Sequence, residues 1–263
     1  MLMIWDPNPP EKVDGEYIDS FHYNFYQIIP GATPAFNLID TAPSYVSSSP
    51  YTMNISPDQR KIALRLIDDT NENGQFDFSG YDVDKYTVHM YDVAHKTITP
   101  FVSGNSSIFF VSWLSDSHAL LYPQGEKILL ARLDNFASET LLEIPDSYIM
   151  NMTLSSDDRF LVTFTNNYQI QVYDLVLDKM VASADDTQFR DMQKTVWSPD
   201  GSLLAFGQHG FFLFRPLSLF NTETKEFTVS VANPDDIVSI PSWSPDGQRL
   251  AFTTNQTTAF FME

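Results

Sequence analysis

Apolar residues follow a recurring polar turn phrase at five places along the 263-residue chain. After each phrase, the seventh residue beyond its opening position is aliphatic and the eighth is also apolar. The aliphatic residues are Ile62, Leu120, Leu161, Leu204 and Leu250, and their apolar neighbours are Ala63, Leu121, Val162, Ala205 and Ala251. Because successive residues of a strand point to opposite faces, this pattern predicts strands that are buried on both faces. Such strands need another sheet packed on each side.

The turn phrase itself is closest to identical in Trp197-Ser-Pro-Asp-Gly201 and Trp243-Ser-Pro-Asp-Gly247, and looser copies open at Ile55, Trp113 and Leu154. Ser-Pro-Asp-Gly carries the residues that a type I turn favours, with a glycine for the left-handed position that follows. We therefore interpret the aspartate of each copy as a turn former: Asp58, Asp116, Asp157, Asp200 and Asp246. These aspartates are separated by 58, 41, 43 and 46 residues. A period of this length predicts an all-β fold, a β-propeller of four-stranded antiparallel blades.

A second apolar segment follows each of the first three phrases and is predicted to be the third strand of its blade. These segments are Tyr86 to Asp92, Lys127 to Arg132 and Tyr168 to Asp174, and Thr258 to Met262 is the matching segment after the last phrase. Trp-Ser-Pro-Asp-Gly with a downstream Tyr-Asp resembles the WD40-like repeat of the TolB type, the PD40 family, over residues 52–263. The resemblance implies a β-propeller like those of bacterial periplasmic and secreted proteins, or like the propeller domains of some serine peptidases.

The repeat length predicts six blades, with residues 52–263 supplying five PD40-like repeats. Residues 1–51 lack the turn phrase and are interpreted as a degenerate first blade that also supplies a ring-closing strand, Leu2 to Trp5. This strand is expected to complete the blade that ends at Glu263, because closure removes exposed strand edges. Five blades with an N-terminal appendage, or a fragment of a longer chain, are the alternatives.

The formal charge of −19 disfavours binding to nucleic acids and to anionic membrane surfaces. The sequence has no cysteine, which excludes structural disulfides and thiolate metal sites. It contains no apolar run long enough to predict a transmembrane helix, and its first residues do not resemble a signal peptide. We expect a monomer that binds a protein partner, without nucleic acid and without membrane insertion.

One insertion carries candidate metal chemistry, between the second and third strands of the first repeat. Read from Asp69, it has the pattern D-x-N-x-N-G-x-x-D around Gly74. Calcium takes six to eight oxygen ligands, and this spacing aims every second side chain inward while a backbone carbonyl adds another. The predicted ligands are Asp69, Asn71, Asn73, Gln75 and Asp77. An EF-hand would need glutamate at the twelfth position, where this chain has Gly80, so the segment resembles instead the calcium loops in hairpins of some propellers. A solvated turn that binds no metal is the alternative.

No motif of the sequence points to catalysis. There is no G-x-S-x-G, and the five histidines form neither H-x-H nor H-E-x-x-H. The sequence predicts a non-catalytic protein-binding or scaffold propeller with a structural calcium ion. The calcium site would be too weak to fill in a resting cytosol, which predicts a periplasmic or extracellular location. The alternatives are a propeller enzyme of the lactonase or lyase type with its site at the channel mouth, and the substrate-gating propeller of a serine peptidase.

Overall fold

A computed structural model of the chain describes residues 2–6, 11–13, 16–18, 22–29, 35–42, 53–68, 85–102, 110–167, 169–185, 194–207, 217–229, 241–253 and 259–262. The chain divides into two compact units. One comprises residues 1–124 and 131–138, and the other comprises residues 125–130 and 139–263. In the part of the chain just defined, no helix is long and apolar enough to cross a membrane.

Every regular element of the described residues is a β-strand. The strands are β1 (Leu2–Asp6), β2 (Glu11–Val13), β3 (Glu16–Ile18), β4 (His22–Ile29), β5 (Ala35–Ala42), β6 (Met53–Ile55), β7 (Lys61–Asp68), β8 (Lys85–Asp92), β9 (Thr97–Val102), β10 (Ser112–Trp113), β11 (Ala119–Gln124), β12 (Lys127–Arg132), β13 (Ser138–Glu143), β14 (Ile149–Leu154), β15 (Phe160–Thr165), β16 (Gln169–Asp174), β17 (Lys179–Asp185), β18 (Lys194–Trp197), β19 (Leu203–Gly207), β20 (Ser218–Asn221), β21 (Glu226–Val229), β22 (Ser242–Trp243), β23 (Leu250–Thr253) and β24 (Ala259–Met262).

The strands after residue 52 form a series of sheets, and within each sheet consecutive strands of the sequence pair side by side. We name these sheets blades 1 to 5: β6-β7-β8-β9, β10-β11-β12-β13, β14-β15-β16-β17, β18-β19-β20-β21 and β22-β23-β24. The strand pairs with a defined register are antiparallel, for example Leu204 opposite Phe220 in blade 4. The predicted third strands are confirmed, because β8, β12, β16 and β24 each occupy the third position of their blade.

The N-terminal residues form a three-stranded antiparallel sheet in the order β1-β4-β5 and a separate hairpin, β2-β3. Leu2 pairs with Tyr26 and Asp6 pairs with His22. Leu2 to Trp5 thus pair with β4, a pairing that the sequence pattern did not predict. The expected ring closure, in which this segment completes the blade that ends at Glu263, stays a prediction; three strands of that blade are described. Pairing with a strand close in sequence closes a shorter loop, and therefore costs less chain entropy, than pairing with the far end of the chain.

The second strand of each blade lies in the core, as its apolar pattern predicts. Ile62, Leu120, Leu161, Leu204 and Leu250 have no exposed surface. In the second compact unit, one buried cluster joins Phe160, Val162 and Phe164 of blade 3 to Leu204, Phe206 and Phe220 of blade 4. A second cluster joins Ala205 and Leu217 to Leu250 and Phe252 of blade 5. These shared clusters fix blades 3, 4 and 5 against one another.

Candidate functional site

The turn between the first and second strands has the same backbone geometry in all five blades, and we call it the first-strand turn. In each copy the fourth residue of the turn donates its N–H to the carbonyl of the first, for example Gly201 to Ser198 at 2.9 Å. The fourth residue always has a positive φ: Gln59 at 60°, Ser117 at 64°, Asp158 at 60°, Gly201 at 71° and Gly247 at 71°. Glycine adopts this conformation without strain. Glutamine, serine and aspartate are less favourable there, because their Cβ crowds the backbone.

A serine and an aspartate stabilise the first-strand turn through their side chains. In blade 4 the Ser198 hydroxyl donates to Asp200 Oδ1 at 2.6 Å and accepts the N–H of Leu203 at 2.9 Å. Asp200 Oδ1 also accepts the N–H of Ser202 at 3.0 Å. Equivalent serine-to-aspartate bonds lie in blades 1, 3 and 5. The turn of blade 2 opens with Leu114 instead of serine, and there Asp116 Oδ1 accepts the N–H of His118 at 2.9 Å.

These bonds confirm that the repeated aspartates form turns. The Ser198 hydroxyl is the main cause of a lowered pKa at Asp200, and the Ser56 and Ser244 hydroxyls lower the pKa of Asp58 and Asp246 in the same way. A carboxylate that accepts several hydrogen bonds is stabilised in its charged form. The lowered pKa values therefore reflect the hydrogen bonds of the turn.

A second turn geometry recurs between the third and fourth strands of the blades, and we call it the third-strand turn. Its last strand residue is Asp92 in blade 1, Asp174 in blade 3 and Asn221 in blade 4. In each case the side-chain Oδ1 accepts two backbone N–H groups of the turn, those two and three residues ahead. Four residues beyond the strand end, the backbone again has a positive φ: Lys96 at 55°, Phe136 at 56°, Asp178 at 51° and Lys225 at 62°. Blades 1, 3 and 4 therefore share a turn that is held by the side chain at its base.

The third-strand turn of blade 3 is braced by an ion pair between a buried carboxylate, Asp174, and a half-exposed guanidinium, Arg159. The side chain of Asp174 has no exposed surface, and its Oδ2 accepts hydrogen bonds from Arg159 Nε at 3.1 Å and from Arg159 Nη2 at 2.8 Å. Burial acts to raise the pKa of Asp174, but the bond from Arg159 and the N–H of Leu177 outweigh it and lower the pKa. The backbone adds a bond from the Leu175 N–H to the Arg159 carbonyl at 2.8 Å. The turn is therefore fixed at its base by a charged pair and by backbone bonds.

This braced turn displays apolar side chains to solvent, and we call residues 175–180 the apolar tip. Val176 is 73% exposed, Leu177 is 52% exposed and Met180 is 50% exposed. Met180 lies opposite Tyr173 in the strand register, which places it on β17 directly after the turn. Three large apolar side chains exposed within five residues form a local patch rather than the scattered single exposures that are normal on protein surfaces.

The equivalent turn of blade 4 has the same backbone and a polar surface. Glu223 and Thr224 occupy the positions of Val176 and Leu177, two and three residues beyond the capping Asn221. Both are exposed. The fold therefore does not require apolar residues at these two positions. The apolar tip was not predicted, although the run Leu175-Val-Leu177 directly after Tyr-Asp is a signal that could have indicated it.

Blade 4 also supports the base of the apolar tip. Lys225 Nζ lies 4.2 Å from the centre of the Phe160 ring, and the Arg159 guanidinium lies 4.9 Å from that ring. Lys225 Nζ also donates to the carbonyl of Thr222. Burial, followed by the charge of Arg159, lowers the pKa of Lys225. Both cations are thus engaged with the Phe160 ring, as in cation–π contacts.

Tryptophans connect neighbouring blades through their indole N–H groups. Trp113 Nε1 donates to the Asn54 carbonyl of the preceding blade at 3.0 Å, and Trp243 Nε1 donates to the Val196 carbonyl at 3.1 Å. Trp197 packs against the cluster shared by blades 3 and 4, but within the described residues its buried Nε1 has no hydrogen-bond partner. Tryptophans at equivalent positions therefore differ: Trp113 and Trp243 donate a hydrogen bond to the neighbouring blade, whereas Trp197 contributes packing.

The predicted calcium ligands Asp69, Asn71, Asn73, Gln75 and Asp77 lie outside the described residues. Elsewhere, the described ranges contain no group of three or more His, Asp or Glu side chains that could hold a metal ion. His89 is buried beside Thr87, His95 contacts Asp92 and His118 contacts Asp116.

Comparisons with known proteins place the fold. No family model matches the chain. Intraflagellar transport protein 80 homologs of Rattus norvegicus and Mus musculus are each 23% identical over 144 residues, which is 55% of this chain and 18% of theirs. The match thus spans less than a fifth of the length of these curated relatives.

Two solved structures are similar over most of the chain. The mitotic checkpoint complex gives a TM-score of 0.61 at 16% identity, covering 92% of this chain and 72% of that one. Hydrazine synthase of Kuenenia stuttgartiensis gives a TM-score of 0.54 at 14% identity, covering 80% and 57%. Together with the four-stranded antiparallel sheets, these likenesses confirm the predicted fold class, an all-β β-propeller. The number of blades stays a prediction.

Proposed function

We propose that this chain is a non-catalytic WD40-like propeller that acts as a scaffold for a protein partner. The observation that carries the proposal is the apolar tip, where a rigid turn exposes Val176, Leu177 and Met180. Ordering a flexible loop on binding costs free energy, so an apolar projection that is already fixed by Asp174 and Arg159 suits recognition of another protein. The similarity to a propeller in the mitotic checkpoint complex, an assembly of proteins, supports the same role.

Site-specific photo-crosslinking tests this proposal. A photoreactive phenylalanine analogue at position 177 is expected to form a defined protein adduct in the source cells, because an interface must bring a partner within reach of it. The matched control carries the same analogue at position 224, the equivalent position of the polar turn in blade 4. Adducts that are absent at 177, or identical at 177 and 224, would argue against a partner at the apolar tip. We also propose that the chain does not turn over ester, lactone or peptide substrates. Turnover that is lost when a residue at the channel mouth is substituted would overturn that part of the proposal.

The proposal retains the calcium loop, the PD40 assignment and a periplasmic or extracellular monomer. Two carboxylates and two amides among the ligands suggest a dissociation constant on the order of 10⁻⁴ M, as in extracellular modules. Calcium at about a hundred times that constant should add roughly 2.7 kcal/mol to the free energy of unfolding. Asp69→Ala should abolish this gain, whereas the matched control Asp84→Ala, outside the ligand set, should retain it. Titration calorimetry on chelator-stripped protein that gives no binding heat at millimolar calcium would remove the metal from the proposal.

A further inference from the structure

We infer that the apolar tip binds a partner segment that combines apolar side chains with lysine or arginine. The inference rests on the proposed scaffold function and adds the chemistry of the partner. Its apolar part follows from the exposure of Val176, Leu177 and Met180, since covering these side chains removes apolar surface from water. Its basic part follows from the charges around the tip.

The basic side chains at the base of the apolar tip are already engaged within the protein. Arg159 makes two hydrogen bonds to Asp174, and Lys225 is held between the Phe160 ring and the Thr222 carbonyl. Lys225 is therefore directed at the ring, and Arg159 is bonded to Asp174, although it also lies close enough to Asp157 to interact with that carboxylate.

Exposed carboxylates lie on both turns at this end of blade 3. Asp178 is in the apolar tip, and Asp157 is in the first-strand turn, close enough to Arg159 to contribute to the raised pKa of that guanidinium. Lys179 is the exposed basic residue of the apolar tip. The chain as a whole carries −19, so the field around the tip attracts a positively charged segment.

Two other occupants fit these observations less well. A second copy of the chain would bring the same charge of −19, and like charges across an interface oppose association. An added β-strand would need a regular outer edge on β17. That edge has a register shift, since Val172 pairs with Ala182 and Tyr173 pairs with Met180, which leaves Val181 unmatched. A bulge and an exposed lysine on an edge strand are features that block strand addition.

Peptide binding tests the inference. The probes are three fluorescent peptides of equal length with alternating Leu and Lys, Leu and Glu, or Ser and Lys, and the readout is fluorescence anisotropy at low and high salt. The Leu/Lys peptide should bind at least tenfold more tightly than either of the others, and added salt should weaken it. The double variant Val176→Glu with Leu177→Thr copies the polar turn of blade 4. It should bind the Leu/Lys peptide at least tenfold more weakly than the wild type. Leu177→Asn is a milder second variant, and unchanged melting temperatures would show that both variants fold.

The outcomes separate this inference from the proposed function. Equal binding of the Leu/Glu and Leu/Lys peptides, or full binding by both variants, would overturn the inference. Sedimentation that shows dimers abolished by Val176→Glu with Leu177→Thr would overturn it too, because the occupant would then be a second copy. A defined crosslink from position 177 together with no preference for basic peptides would leave the scaffold function standing and refute the partner chemistry alone.

Discussion

Equivalent tryptophans should respond in opposite ways to the loss of the indole N–H. Trp113→Phe removes a hydrogen bond to the Asn54 carbonyl, and such a bond contributes about 1 kcal/mol. Trp197→Phe removes a buried donor that lacks a partner within the described residues, and an unsatisfied buried group costs about 1–3 kcal/mol. Both changes remove the same ring atoms, and Trp113 is also more deeply buried than Trp197, which acts in the same direction. We therefore expect Trp113→Phe to be the more destabilising of the two by about 2 kcal/mol or more.

Urea denaturation of both variants and the wild type measures this difference directly. For a chain of this size, 2 kcal/mol corresponds to a difference in melting temperature of roughly 4–8 °C. Trp243→Phe serves as a second hydrogen-bonded control, because Trp243 donates to the Val196 carbonyl. Equal losses in Trp113→Phe and Trp197→Phe, or a larger loss in Trp197→Phe, would refute the reasoning. It would mean that ring packing, and not the state of the indole N–H, decides the stability of these positions.

Two further predictions concern the turns. Gly201→Ala should destabilise by roughly 1–2 kcal/mol, because φ is +71° and the new Cβ would lie 3.3 Å from Ser156 Oγ; Gly247→Ala should cost less, since the nearest atom is Pro199 Cδ at 3.5 Å. Thermal melts decide this, and equal shifts would contradict it. The folded-state pKa values of Asp92 and Asp174 are lowered, so their stabilisation is complete above about pH 4, the unfolded value, and is lost as the pH falls toward the folded values. Melting temperatures between pH 6 and pH 2 should fall less steeply in Asp174→Asn, which keeps the amide caps but loses the titrating charge. An unchanged slope would show that Asp174 does not contribute.

The sequence predicted those parts of the fold that local chemistry dictates. Ser-Pro-Asp-Gly selects its turn without help from distant residues, so the turn of Asp200 could be read from the chain. The pairing of Leu2 to Trp5 could not, because a short apolar strand fits several edges and the choice depends on chain entropy and packing. The apolar tip was missed because Val176 and Leu177 match a buried strand as well as an exposed turn. The five residues of the calcium loop stay a prediction.

The first-strand turn tolerates replacement at every position except one. The fourth position is glycine in two copies and Gln59, Ser117 or Asp158 in the others. The first position is Leu114 in one copy and serine in the rest, yet the aspartate is present in all five copies. Gln59, Ser117 and Asp158 carry a Cβ at a positive φ, yet their turns keep the same backbone hydrogen bond. Duplicated blades can therefore diverge one position at a time without losing their shape. This separates the evolution of the scaffold from that of its projections, and a new binding specificity could arise by substitution of two residues at a third-strand turn.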